Sequence, residues 1–229
     1  MYTKEICAVK RSQVREMPEV ISFDMDGTLV SPRYVDRVWM EAIPELYAER
    51  HGVELDAAKE IVIGEYMKIG SDRLEWYDLG YWLEKFDLKI DKYELLEMHR
   101  SEIEVYPEVE EVLGSLRDSG YELVVTSNAA REFIEMELDG LMDRFSRIFS
   151  VTSDFRDVKK SPRSYILVCR ALGRKPLEVL HIGDHYVYDY EAPIEAGLDA
   201  LFLDRKGNRS GPEVVGDLKE AADRIMNGM

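Results

Sequence analysis

The sequence predicts an α/β fold, in which a doubly wound parallel sheet carries a helical domain inserted after its first strand. In the second half of the chain, short apolar runs alternate with segments of helical periodicity, which is typical of parallel strands joined by crossover helices. Residues 34–100 instead show helical spacing almost throughout and no strand signal. We therefore predict a core of residues 1–31 and 106–229 and a helical domain of residues 32–105.

Helix-breaking and helix-capping residues mark the boundaries between the predicted helices of the helical domain. Pro44 should kink or split its first helix, and the second helix should span residues 55–69. Ser71 or Asp72 is the expected cap of a third helix, and Asp91 that of a fourth. The aromatic side chains of this region favour the core of a small helical bundle over a cofactor site: Trp39, Trp76, Tyr77, Tyr81, Trp82 and Phe86.

The core is expected to alternate strands and helices. We predict strands within residues 20–30, 121–126, 148–152, 179–182 and 200–203. We predict helices over residues 109–119, 130–140, 164–172 and 217–226. Residues 1–18 read as a short polar lead-in.

The charge and the cysteines limit the possible partners and the compartment. A formal net charge of −16 argues against nucleic acid and against an anionic membrane surface. Cys7 and Cys169 lie far apart without metal-ligand or redox spacing, so we expect reduced thiols. No signal peptide or membrane-spanning run is visible. We expect a cytoplasmic protein that is a monomer or a homodimer.

Polar residues follow the predicted strands at the point where each strand ends. Asp24 and Asp26 follow the first strand, Ser127 follows the strand at residues 121–126, and Asp184 follows the strand at residues 179–182. Parallel strands deliver such residues to one edge of the sheet, where ligands bind in doubly wound folds. The alternative is that these residues are ordinary polar residues of solvated turns.

The residue types at this edge favour phosphoryl chemistry. Several carboxylates close together repel each other, and a bound cation removes that difficulty. Oxygen ligands without a His/Cys cluster indicate Mg²⁺. A cation, a lysine and a hydroxyl together suit a phosphoryl group, which a carboxylate can attack to form an aspartyl phosphate.

Four short motifs in the expected order resemble those of the haloacid dehalogenase superfamily. They are Asp24-Met25-Asp26-Gly27-Thr28-Leu29, Ser127-Asn128, Lys159, and Gly183-Asp184 followed by Asp189. The resemblance covers nearly all of the chain outside the lead-in. It implies the superfamily's Rossmann-like core, and the helical domain looks like its type-one cap. Within the superfamily the chain resembles the phosphatase branch, in the manner of phosphoglycolate phosphatases.

The resemblance assigns the central catalytic roles to two aspartates. Asp24 would be the nucleophile, and Asp26 the general acid that protonates the leaving oxygen and then the base that activates water. Mg²⁺ would be held by Asp24, by the backbone carbonyl of Asp26, and by Asp184, with Asp189 in or just behind the metal's ligand shell.

The same resemblance assigns substrate contacts. Ser127 and Lys159 would hold the phosphoryl oxygens, and we expect Thr28 and Asn128 to contact the substrate as well. Lys159 has the family's offset from Pro162, so we prefer it to the alternative, Lys160.

Three residues depart from the family pattern, and the first is Lys160, which stands where proline often follows the motif lysine. A small hydroxyl residue is common where this chain has His185, and Tyr188 replaces a small polar residue before the last acid. His185 could touch the substrate or the metal shell, but we favour a surface-loop histidine. In the helical domain, we favour Lys68 and Arg73 as surface residues; the competing hypothesis is that one of them, Arg73 rather than Lys68 because its planar fork suits a carboxylate or phosphate, contacts the leaving group.

We therefore expect a Mg²⁺-dependent phosphomonoester hydrolase that acts on a small phosphorylated metabolite through an aspartyl phosphate. The presence of Asp26 argues against a dehalogenase or a phosphonatase, since those relatives lack an acid at that position. A sugar-phosphate mutase of the same superfamily remains an alternative. A non-catalytic phosphometabolite-binding module is the alternative from another class of protein.

Overall fold

The computed structural model describes residues 17–158 and 160–228. Within these residues, six parallel strands form one sheet in the order β3-β2-β1-β4-β5-β6. The strands are β1 Val20–Phe23, β2 Glu122–Ser127, β3 Arg147–Ser150, β4 Val179–Gly183, β5 Asp199–Leu203 and β6 Val214–Val215. The predicted doubly wound parallel sheet is confirmed. The two-residue β6 was not predicted, because so short a pair carries no periodicity.

The chain between β1 and β2 begins with a helical insertion that contains five α-helices in the described part of the chain. They are α1 Arg33–Asp36, α2 Ile43–His51, α3 Leu55–Ile69, α4 Leu79–Lys85 and α5 Lys92–Met98. A π-helical turn, Arg37–Ala42, joins α1 to α2. Pro44 lies in the first turn of α2, and its missing N–H fits the widened turn before it. The helix is therefore disrupted near Pro44, as predicted, and the disruption is the π-helical turn that precedes α2.

The expected cap of the third helix was wrong. Gly70 ends α3 as predicted, but the backbone at Arg73 is extended, so Ser71 and Asp72 cannot begin a helix. A 3₁₀ turn, Leu74–Tyr77, follows. Asp78 then caps α4 by accepting a hydrogen bond from the backbone N–H of Tyr81 at 3.0 Å.

The fourth helix begins where the sequence predicted. The side chain of Asp91 accepts hydrogen bonds from the backbone N–H groups of Tyr93 and Glu94, at 2.8 and 3.3 Å. The predicted aromatic core of this region is also present, because Trp82 and Phe86 are buried and their rings stack with centroids 5.4 Å apart. Phe133 of the core completes this cluster, so the insertion packs on the sheet domain through an aromatic contact.

The remaining helices cover both faces of the sheet. They are α6 Val109–Asp118, α7 Arg131–Glu137, α8 Val151–Asp154, α9 Pro162–Leu172, α10 Ala192–Ala196 and α11 Leu218–Met226. Ile21 packs in one buried cluster with Leu113 of α6 and Ile225 of α11. Its neighbour Val20 packs in another cluster with Val168 of α9. Successive side chains of β1 thus point to opposite faces of the sheet and pack against helices on both, as expected for a strand buried on two sides.

The rest of the chain adds two observations. None of the described helices combines the length and the apolar character needed to cross a membrane. Cys169 is buried, whereas the lead-in with Cys7 lies outside the described residues apart from Met17 and Pro18.

Candidate active site

The end of β1 carries the first two carboxylates into a tight turn. The backbone N–H of Asp24 still donates to the carbonyl oxygen of Ile182 on β4, at 2.8 Å. The chain then folds back, and the N–H groups of Leu29 and Val30 both donate to Met25 O. Gly27 adopts φ +77° within this turn, a conformation that costs other residues energy.

Three carboxylates meet where the strand order reverses between β1 and β4. Asp24, Asp184 and Asp189 each place a carboxylate oxygen within 4.8 Å of the other two. Two glycines make room for them. A Cβ on Gly27 would lie 2.6 Å from Asp184 Cγ, and one on Gly183 would lie 2.5 Å from Asp189 Cγ. Glycine is therefore required at both positions for the carboxylates to approach the backbone.

Lys160 is the lysine that the structure places among these carboxylates. Its Nζ lies 2.5 Å from Asp24 Oδ1 and 2.5 Å from Asp189 Oδ1, and its side chain is buried. Its backbone N–H donates to Asn128 Oδ1 at 2.7 Å. Our preferred candidate, Lys159, lies outside the described residues. Among the described residues, Lys160, the alternative we named, is therefore the lysine that contacts Asp24 and Asp189.

Burial and mutual repulsion set the protonation of this cluster. Burial raises the pKa of Asp24 well above its ordinary value, although Lys160 opposes the shift. Burial and the charge of Asp189 also raise the pKa of Asp184. Burial alone would raise the pKa of Asp189, but Lys160 and His181 lower it below its ordinary value. Asp189 is therefore the member of the cluster that stays ionised.

The donor set fits a hard divalent cation. It offers three carboxylates within reach of one ion, and one lysine does not offset three negative charges. Burial is the main cause of the raised pKa values of Asp24 and Asp184, and the charge of the neighbouring Asp189 adds to both. All three donors are oxygens, the ligands that Mg²⁺ prefers.

A buried hydrogen-bond chain fixes Asp189 from behind. His181 Nε2 lies 3.2 Å from Asp189 Oδ1, and His181 Nδ1 lies 2.9 Å from Ser22 Oγ. Ser22 Oγ in turn lies 3.0 Å from Thr126 Oγ1. Burial lowers the pKa of His181, so the ring is neutral and can donate on one side and accept on the other. The chain crosses β2, β1 and β4 and orients the carboxylate that binds Lys160.

Asp26 lies apart from the metal-type cluster and faces a different environment. Its Oδ1 is buried and has no hydrogen-bond partner among the described residues. Burial raises its pKa to about 7, an effect that Lys160 opposes and Asp184 reinforces. At neutral pH Asp26 therefore exchanges its proton readily, as a general acid and base must.

Glu137, at the end of α7, is the second buried acid on this side of the site. It is 3% exposed, and neither carboxylate oxygen has a partner among the described residues. Burial and the charge of Asp26 raise its pKa well above the ordinary value. A proton held on either carboxyl group would allow a hydrogen bond between the two.

The predicted substrate contacts are only partly brought to the site. Ser127 is buried at the end of β2, and its Oγ accepts the N–H of Ala129 at 3.1 Å. Asn128 holds the backbone of Lys160, as described above, and lines a cavity beside Asp26. Thr28 is fully buried within the turn and is not among the cavity-lining residues.

That cavity has a volume of about 400 Å³ and lies between the sheet domain and the helical insertion. Its lining is Asp26, Val35, Asp36, Trp39, Met40, Ile63, Tyr66, Met67, Trp76, Tyr77, Asn128, Ala129, Ala130 and Phe133. Arg73, the candidate of our competing hypothesis for a contact with the leaving group, is not among them. Its guanidinium forms an ion pair with Glu75 at 2.6 Å, and its side chain is 61% exposed. The structure therefore does not bring Arg73 to this cavity.

His185 sits where we favoured it, on the surface. It is exposed, and its ring stacks on that of Tyr188 with centroids 4.0 Å apart. Its backbone N–H donates to Asp189 Oδ2 at 2.9 Å. Having His185 where the family often has a small hydroxyl residue therefore does not remove the backbone hydrogen bond to Asp189.

Sequence reasoning missed Arg205, which follows β5. Its Nη2 donates to Thr28 O at 2.8 Å, its Nε donates to Gly27 O, and its Nη1 pairs with Glu108 at 2.7 Å. The guanidinium also lies 3.7 Å from the centre of the Tyr106 ring. Arg205 thus stabilises the turn that contains Asp26 through hydrogen bonds to the backbone of that turn. Nothing in its sequence neighbourhood signals this role, and the same holds for Glu137.

The fold and the site define a hydrolase-type α/β enzyme with its acids at the switch point of a parallel sheet. Residues 18–197 match the model of the haloacid dehalogenase-like hydrolase family. The chain belongs to this family.

Several relatives in the family are phosphatases. The chain is 26% identical to the GMP/IMP nucleotidase YrfG of Escherichia coli over 72% of this chain and 74% of the relative. It is 27% identical to a phosphoglycolate phosphatase of Pseudomonas putida over 86% of this chain and 73% of the relative.

Solved structures agree with this fold. An HAD phosphatase from Thermococcus onnurineus superposes with a TM-score of 0.79 at 25% identity, covering 92% of this chain and 98% of the other. L-2-haloacid dehalogenase from Xanthobacter autotrophicus superposes with a TM-score of 0.61 at 20% identity, covering 93% of this chain and 100% of the other. The second likeness concerns the fold alone.

Proposed function

We propose that the protein is a Mg²⁺-dependent phosphatase that hydrolyses phosphate monoesters of small metabolites through an aspartyl phosphate on Asp24. One observation carries the proposal. Asp24 and Asp26 emerge together from β1, one beside a lysine and two further carboxylates and the other beside a cavity. A nucleophile and a separate proton donor are what a two-step phosphoryl transfer requires.

In the first step, a carboxylate oxygen of Asp24 attacks phosphorus, and the bond from phosphorus to the leaving oxygen breaks. Asp26 gives its proton to that oxygen, so the product leaves as an alcohol. In the second step, Asp26 takes a proton from water, and the water oxygen attacks phosphorus. Phosphate then leaves with the oxygen from water, and Asp24 is restored as a carboxylate. The pKa of about 7 suits Asp26 to both transfers.

The other residues hold these two groups in place. Lys160 orients Asp24 and offsets part of the negative charge around it. Bound Mg²⁺, held by Asp24, Asp184, the backbone carbonyl of Asp26 and, directly or through water, Asp189, would supply the positive charge that phosphoryl oxygens need near these carboxylates. Ser127 and Asn128 would contact the phosphoryl group from the end of β2.

The domain roles extend the proposal. Residues 1–31 and 106–229 would form the catalytic core, and residues 32–105 would act as a cap that closes over the substrate and excludes water. We place the enzyme in the cytoplasm, since its two cysteines lie far apart without metal-ligand or redox spacing and fit reduced thiols. We also propose that it is a monomer or a homodimer.

The cavity favours a hydrolase over a sugar-phosphate mutase. A mutase must hold a second phosphate, and no lysine or arginine is among the described residues that line this space. The two-acid arrangement favours an enzyme over a binding module, because binding alone needs no acid with a pKa near neutrality.

Trapping the covalent intermediate tests this proposal. The enzyme turns over p-nitrophenyl phosphate with Mg²⁺, is quenched in acid, and is digested for mass spectrometry. We expect a phosphorylated peptide that contains Asp24 and loses its phosphate with hydroxylamine. Asp24→Asn should give neither the adduct nor turnover, whereas the exposed control Asp118→Asn should give both. Turnover by a folded Asp24→Asn variant would refute the assignment.

A further inference from the structure

The cavity beside Asp26 also contains information about the substrate. Asp26 and Asn128 lie on its core side, so a phosphoryl group on Asp24 would point its leaving group into this space. Its volume of about 400 Å³ falls within the usual range for small-molecule sites, which is about 300–1,000 Å³. The chemistry of its walls therefore limits what the leaving group can be.

The walls do not suit a second negative charge. Among the described residues that line the cavity, the ionisable carboxylates are Asp26 and Asp36, and none is a lysine or an arginine. The nearby cations of the insertion are committed elsewhere. Lys68 pairs with Glu65 at 2.5 Å, and Arg73 pairs with Glu75. A carboxylate or a second phosphate on the leaving group would enter without a partner, which is costly away from water.

The walls suit a flat ring. The Trp39 indole stacks on Phe133 with centroids 5.6 Å apart and planes 20° apart. Tyr66 contacts Trp39 edge-on at 5.8 Å and Trp76 at 6.2 Å. Aromatic rings bind further rings through offset and edge-on contacts of this kind.

These rings are held in place before any ligand arrives. The Tyr66 hydroxyl donates to Trp39 O at 3.2 Å, and Trp82 Nε1 donates to Trp76 O at 3.3 Å. A preformed wall binds a ring with little loss of side-chain entropy. The connected aromatic side chains that line this cavity are therefore a specificity feature as well as part of the packing of the insertion.

We propose that the cavity binds the leaving group and that this group carries an uncharged aromatic ring. The inference rests on the proposed phosphatase activity and adds the substrate class to it. Both an aryl-substituted alcohol and a nucleoside offer this chemistry, through a phenyl-type ring or a base. Leaving groups that end in a carboxylate or a phosphate are excluded by the same wall.

A matched series of esters tests the substrate class. Ethyl, 2-phenylethyl, 2-cyclohexylethyl and 2-carboxyethyl phosphate share one type of leaving oxygen and differ only in the distal group. We expect kcat/KM for the phenyl ester to exceed that for the ethyl ester by about 10- to 100-fold, mainly through KM. The cyclohexyl ester should fall between them, and the carboxyl ester should lie at or below the ethyl ester. A preference for the carboxyl ester, or equal values throughout, would overturn the inference.

The series separates this inference from the proposed function. Turnover of p-nitrophenyl and ethyl phosphate without a phenyl preference would refute the aromatic leaving group and leave the phosphatase intact. No turnover of any ester would refute both. Inosine and uridine 5′-monophosphates form a second arm. A higher kcat/KM for either than for the phenyl ester identifies a nucleoside as the source of the ring, and a lower one identifies an aryl alcohol.

Two variants locate the ring. Trp39→Leu should remove most of the preference for the phenyl ester over the ethyl ester, mainly by raising KM for the phenyl ester. Ile63→Trp, which fills the cavity from α3, should also remove most of the preference for the phenyl ester, although it leaves the aromatic side chains of the cavity in place. Tyr93→Ala is the matched control, because Tyr93 is an exposed aromatic residue of the insertion outside the cavity. An unchanged phenyl preference in both folded cavity variants would place the ring elsewhere and overturn the inference.

Discussion

Lys160 Nζ lies 2.5 Å from Asp24 Oδ1, and both side chains are almost completely removed from solvent. The same ammonium group lies 2.5 Å from Asp189 Oδ1. Burial favours the neutral amine, but the two carboxylates raise the pKa of Lys160 above its ordinary value. A buried charge held this way is costly to remove from one side only, because its partners remain unpaired.

Lys160→Met should therefore impair both activity and stability. We expect kcat/KM to fall by at least about 100-fold and metal-free unfolding to become easier by about 3–5 kcal/mol, because two carboxylates lose their cation. Mg²⁺ should restore much of the lost stability, since it supplies the missing charge. Urea denaturation with and without Mg²⁺ measures this. Lys159→Met is the comparison variant, and a larger loss of activity there would return the phosphoryl-binding role to Lys159.

The ambiguity between the two lysines shows where sequence reasoning reaches its limit. The spacing to Pro162 favoured Lys159, but spacing along the chain carries no information about which side chains contact Asp24. Tertiary contacts hold Lys160 beside Asp24, because Asn128 accepts the backbone N–H of Lys160 and Ser161 caps α9. The strand-end acids were predictable because a parallel sheet brings the ends of its strands together.

The cavity beside Asp26 could not be predicted from the sequence as the strand-end acids were. Helical spacing correctly placed Trp82 and Phe86 in a helical core, since it indicates which side of a helix is buried. Spacing does not reveal that Trp39 and Trp76 would be only partly covered and face the end of β1. That outcome depends on how the insertion is placed against α7, which is a long-range packing relation.

Asp26→Asn should be most harmful where the leaving oxygen most needs a proton. An amide cannot donate to an alkoxide and take a proton back from water. We expect kcat/KM for ethyl phosphate to fall by about 10²–10⁴-fold. For p-nitrophenyl phosphate, whose phenolate leaves readily, the release of nitrophenol in a single turnover should fall much less. Stopped-flow absorbance measures that step, and equal losses for the two esters would argue against the acid role.

Gly27→Ala should weaken metal binding as well as strain the turn. A Cβ at this position would collide with the Asp184 carboxylate, and the φ of +77° penalises any side chain. Gly207→Ala is the matched control, because Gly207 has φ +68° but nothing within 4 Å of the added Cβ. Both variants should lose about 1 kcal/mol of stability to backbone strain.

Only Gly27→Ala should raise the Mg²⁺ concentration needed for half-maximal activity and for half-maximal thermal stabilisation. Differential scanning fluorimetry across a Mg²⁺ titration gives the second value without relying on turnover. Equal Mg²⁺ requirements in the two variants would show that the Asp184 carboxylate does not hold the ion beside Gly27.

The last prediction concerns how ionisation of Asp26 and Glu137 lowers the free energy of unfolding when no metal is bound. Burial raises the pKa of Asp26 from 3.8 to about 7, and burial and the nearby Asp26 raise that of Glu137 as well. A folded-state pKa above the unfolded value means that the folded protein binds the proton more tightly. This contribution to stability is fully present below the unfolded pKa and is lost as the pH rises through the folded pKa.

In EDTA, the free energy of unfolding should therefore fall as the pH rises from about 4 to about 7, by at most about 4 kcal/mol from Asp26 alone. Asp26→Asn should flatten this decline, because the amide has no proton to lose, and should make the metal-free protein more stable than the wild type at pH 8. Glu137→Gln should act in the same direction. Urea denaturation at several pH values, with Asp118→Asn as the exposed control, measures the effect. A wild-type decline that persists unchanged in Asp26→Asn would show that the Asp26 carboxyl group ionises in the folded protein at its ordinary pKa.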